Sequence, residues 1–153
     1  MMRLDLICLT SAALFGIVLA ANGVYMLLAP GVWYDAVPGV PTTGPFNQHF
    51  LRDIGLIFAL LGGAVLLGVA QPAMRVVLWG AVALWLAGHA LFHLWEVLAG
   101  ICGGAVLVRD FPAVSLPAIV AAALFLWAAL MSHTRTPSRQ ACGPVPAEIG
   151  SQT

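Results

Sequence analysis

Four long apolar stretches, separated by short polar or turn-forming segments, dominate the pattern along the chain. They cover about residues 6–29, 48–70, 74–99 and 113–132, and each is near the roughly 20 residues that a helix needs to cross a bilayer. Lipid offers no hydrogen-bond partners to backbone N–H and C=O groups, so we expect all four stretches to be helical. The pattern predicts an all-α fold, a bundle of four transmembrane helices.

The connections between these stretches set the domain organisation. Residues 30–47 are rich in proline and glycine, which favours an ordered, extended cap at the membrane–water interface. A tight turn at Gln71 and Pro72 makes the second and third helices antiparallel neighbours. The third connection is glycine-rich. We therefore predict one membrane domain over residues 1–133 and a disordered polar tail over residues 134–153.

Composition narrows the functional classes. The chain is 61% hydrophobic and only 8% charged, with a mean hydropathy of +0.99, whereas a soluble domain has about 25% charged residues. Six arginines balance six acidic residues, and lysine is absent, so the sequence contains no basic patch for nucleic acid. These numbers exclude a soluble globule, a disordered protein and a nucleic-acid binder, and they predict the lipid bilayer as the surrounding partner.

The arginines also predict an orientation. Four of them fall on the side of the membrane that holds both chain ends, and two fall on the other side. Because cytoplasmic loops carry an excess of Arg and Lys, both termini are predicted to be cytoplasmic. We expect a multi-pass protein of a bacterial inner membrane, with the first and third connections on the periplasmic side.

Small residues four positions apart mark the second helix. Ala59 and Gly63 form one such pair, and Ala64 and Gly68 form another. This spacing permits close contact between transmembrane helices. It fits packing within the bundle and packing in a homo-oligomer or with a partner subunit equally well.

Ionisable residues occur inside two of the apolar helices, where each costs roughly 2.5–3.5 kcal/mol on insertion. His49 and Asp53 lie one turn apart near the start of the second helix. His89, His93 and Glu96 lie within roughly 60° of one another near the end of the third. Both groups fall near the same membrane face, so they predict a single polar pocket.

Imidazole and carboxylate are ligands for transition metals, so Zn, Fe, Cu or Mn is the candidate cofactor of this pocket. The five residues would be metal ligands, with Asn22, Tyr25 and Arg52 as a second shell or pocket wall. The leading hypothesis is a small integral membrane protein with a polar, metal-binding pocket at the periplasmic end of the second and third helices.

Other interpretations remain open. The same residues could form an interhelical packing network in a structural or accessory subunit, with Arg52 pairing Glu96. A haem held by two histidines, with His49 opposite His93, or a quinone would make the protein part of a membrane oxidoreductase. A path for protons or a small substrate is a further alternative. The sequence contains no known catalytic motif, so whether the protein is an enzyme stays undecided.

Two segments carry a family resemblance. Residues 37–55 read VPGVPTTGPFNQHFLRDIG, and residues 89–96 read HALFHLWE. Together they resemble a group of small four-helix bacterial inner-membrane proteins of unknown function, loosely similar in architecture to the DoxX-like families. The likeness covers most of residues 20–130. It implies the fold and the location but no activity.

Overall fold

The computed structural model describes residues 2–134 of the protein and contains no strand among them. Four long helices and two short ones follow one another: α1 (Met2–Leu28), α2 (Pro30–Ala36), α3 (Gln48–Ala70), α4 (Arg75–Leu98), α5 (Ala105–Asp110) and α6 (Ser115–Thr134), with a 3-10 turn at Val40–Thr42. The four long helices are each long and apolar enough to cross a membrane. This confirms the predicted all-helical fold with four candidate spans. Apart from Thr134, the predicted disordered tail lies outside the described residues.

The first connection differs from the extended cap predicted for it. Pro30 occupies the first turn of α2, where its fixed φ suits a helix and its missing N–H is not needed. The 3-10 turn follows, with its N-cap Gly39 at a φ of 89°. α3 then begins where Asn47 caps it, since the Asn47 side chain accepts a hydrogen bond from the Phe50 N–H at 3.1 Å. The segment between Pro30 and Asn47 is therefore folded, with a helix-starting residue at each of its ends.

Glycines bring α1 and α3 into close contact. A Cβ added at Gly23 would collide with the backbone of Ala59, and one added at Gly62 would collide with Ala20. The predicted small-residue spacing on α3 therefore serves packing inside the bundle at Ala59. Gly63 is different, because nothing lies within 4 Å of a Cβ added there. The α3 face that packs on α1 is set by Gly62 and not by Gly63.

A tryptophan and an arginine join α3 to α4 at the tight turn. Trp79 is buried against Gly68 and donates a hydrogen bond from Nε1 to the Val65 carbonyl at 3.0 Å. Arg75 donates from Nε to the Gly68 carbonyl at 2.9 Å and from Nη2 to the Val69 carbonyl at 3.2 Å. Arg75 thereby satisfies carbonyls at the end of α3 that have no partner within the helix.

The core lies between the four long helices. Its most buried side chains come from all of them and include Ala12, Leu19, Val65, Trp79, Val82, Leu86, Ala121 and Leu124. α2 and α5 lie at the opposite end of the bundle from the α3–α4 turn, because one connects α1 to α3 and the other connects α4 to α6. We call this end the α2/α5 end, and it holds the ionisable residues of interest.

Candidate polar site at the α2/α5 end

His93 faces two carboxylates at the end of α4. Its Nδ1 lies 3.7 Å from Asp110 Oδ2 and 4.0 Å from Glu96 Oε2. The three side chains are 21%, 15% and 24% exposed, in the order His93, Asp110, Glu96. Both distances exceed the 2.7–3.2 Å of a direct hydrogen bond, and the buried Nδ1 has no hydrogen-bond partner in the described part of the chain.

Arg109 holds the Asp110 carboxylate through two hydrogen bonds. The Arg109 guanidinium donates from Nε to Asp110 Oδ1 at 2.6 Å and from Nη2 to Oδ2 at 3.1 Å. The hydrogen bond with Asp110 raises the pKa of Arg109 above its ordinary value. Arg109 also packs against Gly39 of the first connection. One residue of α5 thus touches both Asp110 and the segment between α1 and α3.

His89 extends the polar site along α4. The His89 and His93 rings meet edge to face, with centroids 4.8 Å apart and planes at 80°. The predicted alignment of His89, His93 and Glu96 along one side of α4 is therefore found. Asp110 is the member that sequence reasoning missed, because α5 was not expected within the glycine-rich connection. One signal for Asp110 was available in the sequence. The Arg109–Asp110 pair follows soon after the polar end of α4, which carries His93 and Glu96.

A groove beside His89 runs along the outer surface of α4. Its volume is about 440 Å³, and Ala81, Leu84, Trp85, Gly88 and His89 line it. Ala81 and Gly88 are seven positions apart, so they form the floor between larger side chains. His89 therefore touches both the groove and His93.

His49 and Asp53 form a separate pair on α3. Their side chains lie 3.4 Å apart and are 91% and 60% exposed. Among residues 2–134, no ion pair or ring contact links either residue to the histidines of α4. The predicted five-residue pocket is therefore not assembled as one group, since the His49 and Asp53 side chains lie on the exposed face of α3. The opposed histidines that a haem would need are not brought together either.

The residues predicted as a second shell have other partners. Asn22 accepts a hydrogen bond from Trp33 Nε1 at 2.9 Å, which holds α2 against α1. Arg52 donates from Nε to the Leu27 carbonyl at 3.1 Å and so caps α1. Tyr25 is exposed. These contacts make Asn22 and Arg52 packing residues of the α1–α2–α3 region.

The metal hypothesis finds no support in this geometry. Across residues 2–134, no group of three or more His, Cys, Asp or Glu side chains is arranged so that it could hold a metal ion. The Glu96 and Asp110 carboxylates instead both lie within 4.0 Å of a single ring nitrogen, His93 Nδ1. No family model, curated protein or solved structure matches the sequence.

Proposed function

We propose that the protein is a multi-pass protein of a bacterial inner membrane, with cytoplasmic termini, whose His93, Glu96 and Asp110 bind and release a proton at the periplasmic face. The observation that carries the proposal is the unpartnered, buried Nδ1 of His93 between two carboxylates. Chains of Asp, Glu and His inside membrane segments mark proton pathways in other proteins. The resemblance to a group of small four-helix bacterial inner-membrane proteins, loosely similar in architecture to the DoxX-like families, agrees with this location.

Charge arithmetic favours a proton at this position. With ionised carboxylates, charged Arg109 and neutral His93, the site carries one net negative charge. A proton on His93 brings that charge to zero and gives Nδ1 a hydrogen to donate toward Asp110 or Glu96. Histidine is the side chain whose charge changes most readily between pH 5 and 8.

The test follows the charge of His93 at its neighbour. We expect the Asp110 carboxylate carbon to change its NMR chemical shift between pH 5 and pH 8, because protonation of a ring 3.7 Å away changes the local field. The change should disappear in His93→Gln, which keeps a polar side chain but does not titrate. His49→Gln is the matched control, since His49 also pairs with a carboxylate but in an exposed position. A change that persists in His93→Gln would overturn the proposal.

A structural role is the second candidate. Arg109 makes two hydrogen bonds to Asp110 and packs against Gly39. These contacts favour a structural role, in which Arg109 holds the connection between α1 and α3 against the connection between α4 and α6. This role predicts that His93→Gln alters stability equally at pH 5 and pH 8 and leaves no pH-dependent signal at Asp110.

Elemental analysis of protein purified without chelator tests the metal alternative separately. About one transition metal per chain, lost in His93→Ala, would favour metal binding instead.

A further inference from the structure

The groove on α4 has a histidine, His89, at its side. Its other lining residues are apolar or small: Ala81, Leu84, Trp85 and Gly88. His89 makes no hydrogen bond within residues 2–134, and its ring meets the His93 ring edge to face. A polar ring left without partners at the edge of an apolar groove favours an occupant that can hydrogen-bond.

We propose that this groove binds a small, membrane-dissolved molecule with a hydroxyl on a planar ring, a lipid-soluble phenol in chemical class. The groove, of about 440 Å³, is open along the surface of α4, so a ligand would reach it directly from the surroundings of the bundle. Trp85 offers an aromatic face for the ring to stack on. The phenol hydroxyl donates a hydrogen bond to the unprotonated nitrogen of the His89 ring, which accepts it. The inference extends the proposed proton site and rests on it for the membrane location.

The depth of His89 determines where such a ligand comes from. His89 lies nine residues before the end of α4 at Leu98, which is roughly 14 Å along the helix axis. In a membrane, this position lies within the hydrocarbon layer, about 30 Å thick. A ligand that reaches it must therefore dissolve in lipid and carry a neutral polar group. A lipid-soluble phenol meets both conditions, and its hydroxyl contacts the histidine pair that leads to Asp110.

Two glycines provide a matched pair of variants. Gly88 lies in the groove, and Gly63 lies on α3, outside the groove; nothing lies within 4 Å of a Cβ added at either position. The Cβ of Gly88→Leu therefore meets none of the described residues, and the rest of the leucine side chain occupies the groove. Gly63→Leu makes the same chemical change on a different helix. Both variants are expected to keep the helical content of the wild type.

The experiment compares two probes on the ¹⁵N-labelled full chain in detergent micelles. 4-Octylphenol carries the hydroxyl, and 4-octylanisole has the same ring and alkyl chain but cannot donate a hydrogen bond. We expect 4-octylphenol to shift the Gly88 amide and the His89 ring nitrogens saturably, with an affinity about fivefold higher than that of 4-octylanisole, the worth of one ordinary hydrogen bond. Gly88→Leu should abolish these shifts, and Gly63→Leu should preserve them.

A second variant removes the hydrogen bond between His89 and the phenol and is expected to leave the fold unchanged. His89→Phe keeps an aromatic ring in the groove, so it should bind both probes with equal affinity. His93→Gln should retain the preference for 4-octylphenol even if it loses the pH-dependent signal at Asp110, which distinguishes this inference from the proposed proton site. Equal response to the two probes in the wild type, or a response that persists in Gly88→Leu, would mean partition into the micelle and would overturn the inference.

Discussion

The guanidinium of Arg109 packs directly against Gly39, a residue 70 positions earlier in the chain. Gly39 belongs to the connection between α1 and α3, and Arg109 belongs to α5 between α4 and α6. This contact joins the two connections at the α2/α5 end, and the same guanidinium donates hydrogen bonds to both carboxylate oxygens of Asp110. The polar site therefore depends on a segment that contributes no ionisable side chain to it.

Gly39→Ala is expected to destabilise the protein. The φ of 89° is strained for any residue with a Cβ, and the added methyl group would collide with Arg109. We expect a loss of about 1–3 kcal/mol of unfolding free energy, measured by denaturant or thermal unfolding in detergent. Gly103→Ala is the control, because its Cβ would meet open space. Equal stability of the two variants would contradict the contact.

Gly62→Ala should weaken the packing of α1 on α3, and its neighbour provides the control. A Cβ at Gly62 collides with Ala20, whereas one at Gly63 has nothing within 4 Å. Overpacking of this kind costs about 1–3 kcal/mol. Gly63→Ala should be neutral or slightly stabilising, because alanine favours a helix more than glycine does. Unfolding of both variants under identical conditions checks the difference, and a reversed order would show that α3 presents a different face to α1.

Trp79→Phe is expected to cost about 1–3 kcal/mol through loss of its buried hydrogen bond. Trp79 is 1% exposed and donates to the Val65 carbonyl. Trp85→Phe is the matched change on the same helix, and it should alter stability by no more than about 0.5 kcal/mol because Trp85 is largely exposed. Thermal unfolding followed by circular dichroism distinguishes the two. Similar losses would argue against a core position for Trp79.

Asp110→Asn should lower the unfolding temperature, and Asp53→Asn should leave it nearly unchanged. Asp110 accepts two hydrogen bonds from Arg109, whereas Asp53 lies exposed beside His49. A cation whose pKa is raised in the folded state loses its contribution to stability only when the pH rises through that pKa. The pKa of Arg109 is raised in this way, so its guanidinium stays charged, and stabilising, across pH 7–9. In a His93→Gln background, where no imidazole lies beside Asp110, the effect of Asp110→Asn should therefore be equal at pH 7 and pH 9. A loss confined to one of these pH values would contradict this assignment.

Local patterns in the sequence determined much of the architecture. Four apolar stretches of near-spanning length predict four long helices, because hydropathy and length are properties of each segment alone. The 3.6-residue period likewise predicts that His89, His93 and Glu96 follow one side of a helix. In the structure, the His89 ring contacts the His93 ring, and the His93 ring lies beside the Glu96 carboxylate. The pairing of His49 with Asp53 follows from the same period.

The tertiary structure alone decided which of these groups share a site. Spacing within a helix fixes relative angles on that helix but does not say which face it turns toward another helix. For this reason the sequence did not separate Gly62 from Gly63, nor the exposed pair on α3 from the polar site on α4. Asp110 could not be placed either, because a six-residue helix such as α5 is too short to be stable by itself and forms only through its packing. The contact between Arg109 and Gly39, across 70 residues, is a part of that packing that no local pattern encodes.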